Sequence, residues 1–188
     1  MPPEIVLVRH GETEWSRDRR HTGRTDIPLT DAGRGEARAL RPRLAERDFA
    51  RVLVSPLGRA VETCRLAGLG ERAEERPELV EFDYGDAEGV TTAELRQTVP
   101  GWTVWTHGAE TRGESPADVG ARLEPVLAEL SGADRDAAVV AHGHVLRVLA
   151  AMWIGMPPDG GARLALSTGT LSTLGWERET QVIRSWNA

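Results

Sequence analysis

Lysine is absent: all 23 basic residues among the 188 are arginine. That excludes a Walker-type phosphate loop, whose lysine reaches the phosphates, and any Schiff-base chemistry. Compositional bias explains most of the arginine excess, yet the exclusions hold, and the planar guanidinium fork suits phosphate. Cysteine occurs once, at Cys64, so neither an intramolecular disulfide nor a Cys-rich metal site can form. Cys64 lies in the apolar-periodic stretch Ala60–Ala67 and reads as a buried structural thiol rather than a catalytic one. No apolar run reaches the roughly 18–20 residues that span a bilayer. Met1 to Glu4 lacks a basic region and Ile5–Val8 is too short for a signal peptide, so a cytoplasmic protein with no membrane partner is expected. A net charge of −6 removes any global attraction to nucleic acid or anionic lipid, so an anionic substrate must meet a local cluster of cations.

Against these absences stands an ordinary globular composition, 40% hydrophobic and 28% charged, of a length that fits one domain over residues 1–188. Ile5–Val8, Val52–Val54 and Ala137–Ala141 are short apolar, β-branched runs that read as buried strands. Thr30 is placed to cap a helix running to about Arg47, with Ala37, Leu40 and Leu44 on one face and Pro42 predicting a kink or break. Ser55-Pro56 opens a helix through about Leu66, followed by a charged loop over 68–76. Further helices are expected over Thr91–Thr98, Pro116–Leu130 and from His142 to about Ile154, whose apolar Val148–Ile154 segment reads as core rather than interface. Leu164–Leu166, Thr170–Trp176 and Gln181–Trp186 read as late strands that could form an antiparallel edge. Strands separated by such helices predict a three-layer α/β sandwich with a mostly parallel central sheet and helices on both faces.

Ligands in open α/β sheets bind beyond the carboxyl ends of the strands. Three polar groups stand there: Arg9-His10-Gly11, Ser55–Arg59 and His142-Gly143-His144. A neutral imidazole can attack phosphorus in line, while two guanidiniums and a second imidazolium hold the nonbridging oxygens. The parts suit phosphoryl transfer without a metal or cofactor. Each has a plainer reading. Arg9 could be half of a surface ion pair, His142 and His144 could share a metal, and His21 and His107 read as exposed loop residues.

Five segments, in order, resemble the histidine phosphatase superfamily, which includes the phosphoglycerate mutases. They are Val8–Thr13, Thr22–Thr30, Ser55–Thr63, Glu81–Gly89 and Ala141–His144. The resemblance implies that His10 is the phosphorylated nucleophile and that Arg9, Arg59 and His142 hold the phosphoryl group. It implies that Glu81 first protonates the leaving oxygen and then activates water, a task that calls for partial burial or nearby negative charge. It further implies substrate contacts from Ser16, Thr22, Gly23, Arg24, Tyr84, Gly143 and His144, with His21 beside them. Ser16 stands where the family usually has asparagine, and His144 where many mutases do.

Mutases of this kind resemble one another in a basic insertion after the acid segment, which grips a substrate carboxylate. The stretch from Thr91 to His107 is short here and holds one arginine, Arg96. Water can then reach a phosphohistidine, so hydrolysis is expected over transfer, with a phosphoglycerate mutase or a non-catalytic phosphate-binding module as alternatives. Thr13–Ser16, Tyr84–Asp86, Trp102, Trp105 and His142–Arg147 are similar to a sedoheptulose-1,7-bisphosphatase-like branch. That implies a sugar phosphate or bisphosphate as substrate, with Trp102 and Trp105 either in a substrate lid or in ordinary packing. The expected partner is a small phosphorylated molecule, and a homodimer is left open.

Overall fold

The computed structural model describes residues 2–188. Its elements are β1 (Ile5–Arg9), α1 (Glu14–Arg17), α2 (Asp31–Ala45), β2 (Arg51–Val54), α3 (Gly58–Leu66) and β3 (Ala73–Glu75). There follow α4 (Thr92–Thr98), α5 (Val104–His107), α6 (Pro116–Ser131), β4 (Ala137–Ala141), α7 (Gly143–Trp153), β5 (Leu171–Glu177) and β6 (Thr180–Ser185). The strands form one sheet in the order β3-β2-β4-β1-β5-β6. β1 to β4 are parallel neighbours, and β5 and β6 add the antiparallel edge that the late strands predicted.

The sheet is buried on both faces, which is why its strands are continuously apolar rather than alternating. Side chains still alternate with a period of two. Leu7, Leu53 and Val139 face α6 and α7, whereas Val6, Val8, Val52, Val54 and Val140 face α2 and α3. The Val148–Ile154 segment lies in α7, where Val148, Leu149, Ala150, Ala151 and Trp153 are buried within the chain itself. Among the described residues no helix is long and apolar enough to cross a membrane.

Thr30 caps α2 as expected, its hydroxyl accepting from Gly33 N at 3.0 Å. Pro42 does not break the helix. It sits exposed in the last turn, so the carbonyl it deprives of a donor is open to water. Strand β3 falls inside the expected loop; as an edge strand of sequence Ala-Glu-Glu it carries no apolar signal. The third helix starts at Gly58, two residues beyond Ser55-Pro56. Leu164–Leu166 is not a strand: its carbonyls serve side chains instead, Ala165 O accepting from Trp186 Nε1 and Leu166 O from Arg9 Nη1.

Candidate active site

Register brings the polar strand ends together. Arg9 pairs with Ala141 across β1 and β4, and Val54 pairs with Val140 across β2 and β4. The residues immediately beyond, His10, His142 and Ser55, therefore emerge side by side. His10 N donates to Ala141 O at 3.0 Å, and Ser55 N donates to Val140 O at 3.0 Å. The His10 and His142 rings meet edge-on with centroids 5.1 Å apart.

His10 is 4% exposed. Its Nδ1 lies 2.7 Å from Gly11 O, and because a carbonyl only accepts, Nδ1 carries the proton and Nε2 keeps its lone pair. Burial, and then the charges of Arg59 and Arg9, hold this imidazole well below the usual histidine range, so it is neutral near pH 7. Gly11 is obligatory for a steric reason, since a Cβ there would lie 2.2 Å from Gly33 O.

Arg59 is buried at the start of α3. Its Nη2 donates to Gly23 O at 2.8 Å, its Nη1 to Thr25 O at 2.9 Å and its Nε to His142 Nδ1 at 3.1 Å. The proton of His142 is thereby placed on Nε2, which donates to Ser55 Oγ at 2.6 Å. Burial and Arg59 hold His142 well below the usual histidine range. Arg9, half-buried, donates to Leu166 O, while its Nε has no partner among the described residues. Gly143 lets it lie flat against the start of α7, where a Cβ would meet Arg9 Cζ at 3.1 Å.

Glu81 is 4% exposed and sits on the N-terminus of α7, where orphan N–H groups favour an anion. Its Oε1 accepts from Phe82 N at 3.0 Å and Val145 N at 2.9 Å, and its Oε2 from His144 N at 2.9 Å. Oε2 keeps the freer lone pairs. Arg122 steadies the segment from behind, donating to Glu81 O at 3.3 Å while paired with Glu114 at 2.8 Å.

A cavity of about 350 Å³ opens onto His10, Arg9 and Glu81, and Ser16, Thr22, Tyr84 and His144 line it too. His142 lies edge-on to His10 and Arg59 is bound to His142, and neither is part of the lining. Ser16 Oγ accepts from Thr13 N at 2.9 Å and Thr13 Oγ1 from Ser16 N at 3.1 Å, a capping box that fixes α1. Gly23 is buried, its amide held by Glu88 at 2.9 Å. Arg24 is exposed, 3.9 Å from Glu114 and off the cavity. Tyr84 Oη lies 2.6 Å from His144 Nδ1, so His144 and His142 serve different partners rather than one shared ligand. Among the described residues no three His, Cys, Asp or Glu side chains cluster as metal ligands. His21 is no free loop residue: it lines the cavity with Nδ1 donating to Val90 O at 2.7 Å. His107 ends α5, against Thr106 Oγ1 at 2.6 Å. Trp102 is core, 2% exposed, whereas Trp105 lines the cavity beside His144. Cys64 is buried against α2, which pushes its thiol up to about 12 and leaves it inert.

Sequence reasoning did not single out Ser55, Arg19 or Arg20. The serine's signal was its place at the end of β2. The two arginines gave none, because the turn that aims them at the cavity depends on pairing with residue 91, far along the chain.

Residues 5–188 match the Histidine phosphatase superfamily (branch 1). An acid phosphatase of Mycobacterium tuberculosis is 41% identical over 177 residues, with 92% of this chain and 86% of that protein covered. Sedoheptulose 1,7-bisphosphatase of Saccharomyces cerevisiae is 32% identical, with 83% of this chain and 69% of that protein covered. Among solved structures, the product of a Mycobacterium tuberculosis open reading frame superposes with a TM-score of 0.92 at 37% identity, covering 98% of this chain and 97% of that one.

Proposed function

The chain belongs to the histidine phosphatase superfamily, branch 1, and is a phosphatase; from that premise we propose that it hydrolyses small phosphomonoesters through a phosphohistidine formed on His10. The observation that carries this is the state of His10: buried, neutral, with Nδ1 tied to Gly11 O and Nε2 left as the nucleophilic lone pair. Nε2 attacks phosphorus, the P–O bond to the leaving group breaks, and Glu81, protonated on Oε2, gives its proton to the departing oxygen. Water then attacks the phosphohistidine as the Glu81 carboxylate takes its proton. The P–N bond breaks, releasing inorganic phosphate and neutral His10.

Arg9 binds the nonbridging oxygens from the cavity wall. Arg59 and His142 bind them by exchanging their carbonyl and Ser55 partners for phosphate oxygens. The substrate beyond the phosphate lies along Tyr84, His144 and Trp105. A relative named as an acid phosphatase supports phosphomonoester hydrolysis, and one named as a sedoheptulose 1,7-bisphosphatase supports a sugar phosphate or bisphosphate as the substrate.

The test is p-nitrophenyl phosphate hydrolysis with and without EDTA, joined to acid-sensitive trapping of phosphoprotein by intact mass. Wild type should turn over in EDTA and His10→Ala should lose both turnover and adduct. A phosphoryl group trapped on another residue, or turnover retained by His10→Ala, would overturn the mechanism.

A further inference from the structure

The cavity is far more cationic than the chemistry at His10 requires. Its lining includes Arg19, Arg20 and Arg96 as well as Arg9, against a single carboxylate, Glu81, in a chain whose net charge is −6. No carboxylate among the described residues pairs with Arg19, Arg20 or Arg96 within 4.0 Å, whereas Arg17, Arg34, Arg51, Arg112 and Arg135 each hold one. Glu94, whose charge feels Arg20, is held by Thr91 in a capping box.

The three are aimed rather than loose. Arg19 adopts φ 59°, a left-handed conformation that non-glycine residues avoid, just beyond α1. Arg20 pairs with Thr91 in an antiparallel bridge, and its Nη1 donates to Gly89 O at 2.7 Å. Arg96 in α4 donates through Nε to Trp102 O at 3.0 Å, which leaves its outer nitrogens unengaged. Arg19 and Arg96 also flank a second hollow beside Thr91 and Thr92, continuous in its lining with the first, where the one carboxylate, Asp18, is bound by Arg17. A cavity of about 350 Å³ is sized for a whole small molecule, not for one phosphoryl group.

We propose that Arg19, Arg20 and Arg96 form a second anion subsite at the cavity mouth, selecting phosphomonoesters that carry another anionic group, phosphate or carboxylate, at their far end. This rests on the hydrolytic reading of His10 and names the class of substrate it serves. The second charge stays bound while the first phosphoryl group is transferred, so the subsite acts through KM. Guanidiniums from two separate elements allow bidentate capture of either oxyanion.

Three probes separate the cases: butyl phosphate, 4-(phosphonooxy)butanoate and butane-1,4-diyl bisphosphate, each followed by phosphate release. Wild type should favour a doubly anionic probe in kcat/KM by about tenfold or more over butyl phosphate, the size of one or two partly wet charge-assisted hydrogen bonds. Arg20→Gln and Arg96→Gln should raise KM for that probe, with a loss in kcat/KM at least fivefold larger than on butyl phosphate. Arg38→Gln, an equal change of charge on exposed α2, should leave all three probes at wild-type values. Preference for the bisphosphate over the carboxylate identifies phosphate as the second group, and the reverse identifies carboxylate; either supports the subsite. Equal rates on all probes, or equal losses on all in the arginine variants, overturn it. If no probe is hydrolysed, the mechanism at His10 fails instead. Calorimetric binding of the same three compounds then decides the subsite, which stands if the arginine variants selectively weaken the doubly anionic ones.

Discussion

Acidification should destabilise this protein before its carboxylates titrate. His10 and His142 are both buried, and burial with the nearby charge of Arg59 holds both well below the ordinary histidine value of about 6.5. Unfolding returns them to water, where they take up protons at their ordinary value. Below about pH 6.5 the unfolded chain therefore binds two protons that the folded chain refuses. The sign follows: stability contributed by the neutral pair is complete above that pH and is lost as pH falls toward the lowered values. Each such group changes the unfolding free energy by about 1.4 kcal/mol per pH unit, so the pair gives about 2.7. Each pH unit over which both stay neutral in the folded chain therefore removes about 2.7 of the 5–15 kcal/mol typical of a domain. His21 and His144, lowered mainly by burial, push in the same direction. Urea unfolding across this range measures the slope, and His10→Gln should remove about one histidine's share. A stability that stays level from neutral pH down to about pH 5 would refute the claim that these imidazoles are neutral and buried.

Other outcomes are as definite. Glu81→Gln should slow alkyl phosphates by at least about a hundredfold, the size of a lost general acid, and p-nitrophenyl phosphate much less. A uniform loss across leaving groups would contradict the acid role. Ser55→Ala strands the buried His142 Nε2 proton and should cost about 1–3 kcal/mol, read as a lower urea midpoint. Cys64 should resist thiol reagents at mildly alkaline pH until the chain is unfolded; rapid labelling of native protein would show that α3 does not bury it.

The strongest sequence signals were local ones. Continuous apolar runs marked β1, β2 and β4 because a sheet covered on both faces needs no polar side. Thr30 marked a helix start because an N-cap hydroxyl answers a specific backbone donor, and the structure shows Thr91 and Ser115 capping α4 and α6 in the same way. Strand β3 was illegible, since an edge strand is defined by its neighbour and Ala73-Glu74-Glu75 advertises nothing. Leu164–Leu166 misled because an apolar triplet looks the same whether its backbone serves a ladder or side chains. At the site, His10 and His142 could be placed at strand ends, but only the order β2-β4-β1 makes them neighbours. Glu81 needed family resemblance, being one acid among 29. Arg96 was noted as evidence that basic charge is scarce near the cavity. The fold supplies that charge from Arg19 and Arg20, which left-handed backbone at residue 19 and pairing with Thr91 bring to the mouth.

β1 is also the strand with the most distant partners: Ile5 meets Ala137 on one side and Leu174 on the other. Translation therefore makes His10 early and the backbone that supports it late. Arg9 N waits for Thr170 O, and His10 O for Gly169 N. A ribosome-bound chain that has not yet extruded this return segment holds every reacting side chain yet lacks the frame that orients them. The frame around His10 is therefore complete only once residues 169–174 have joined the sheet.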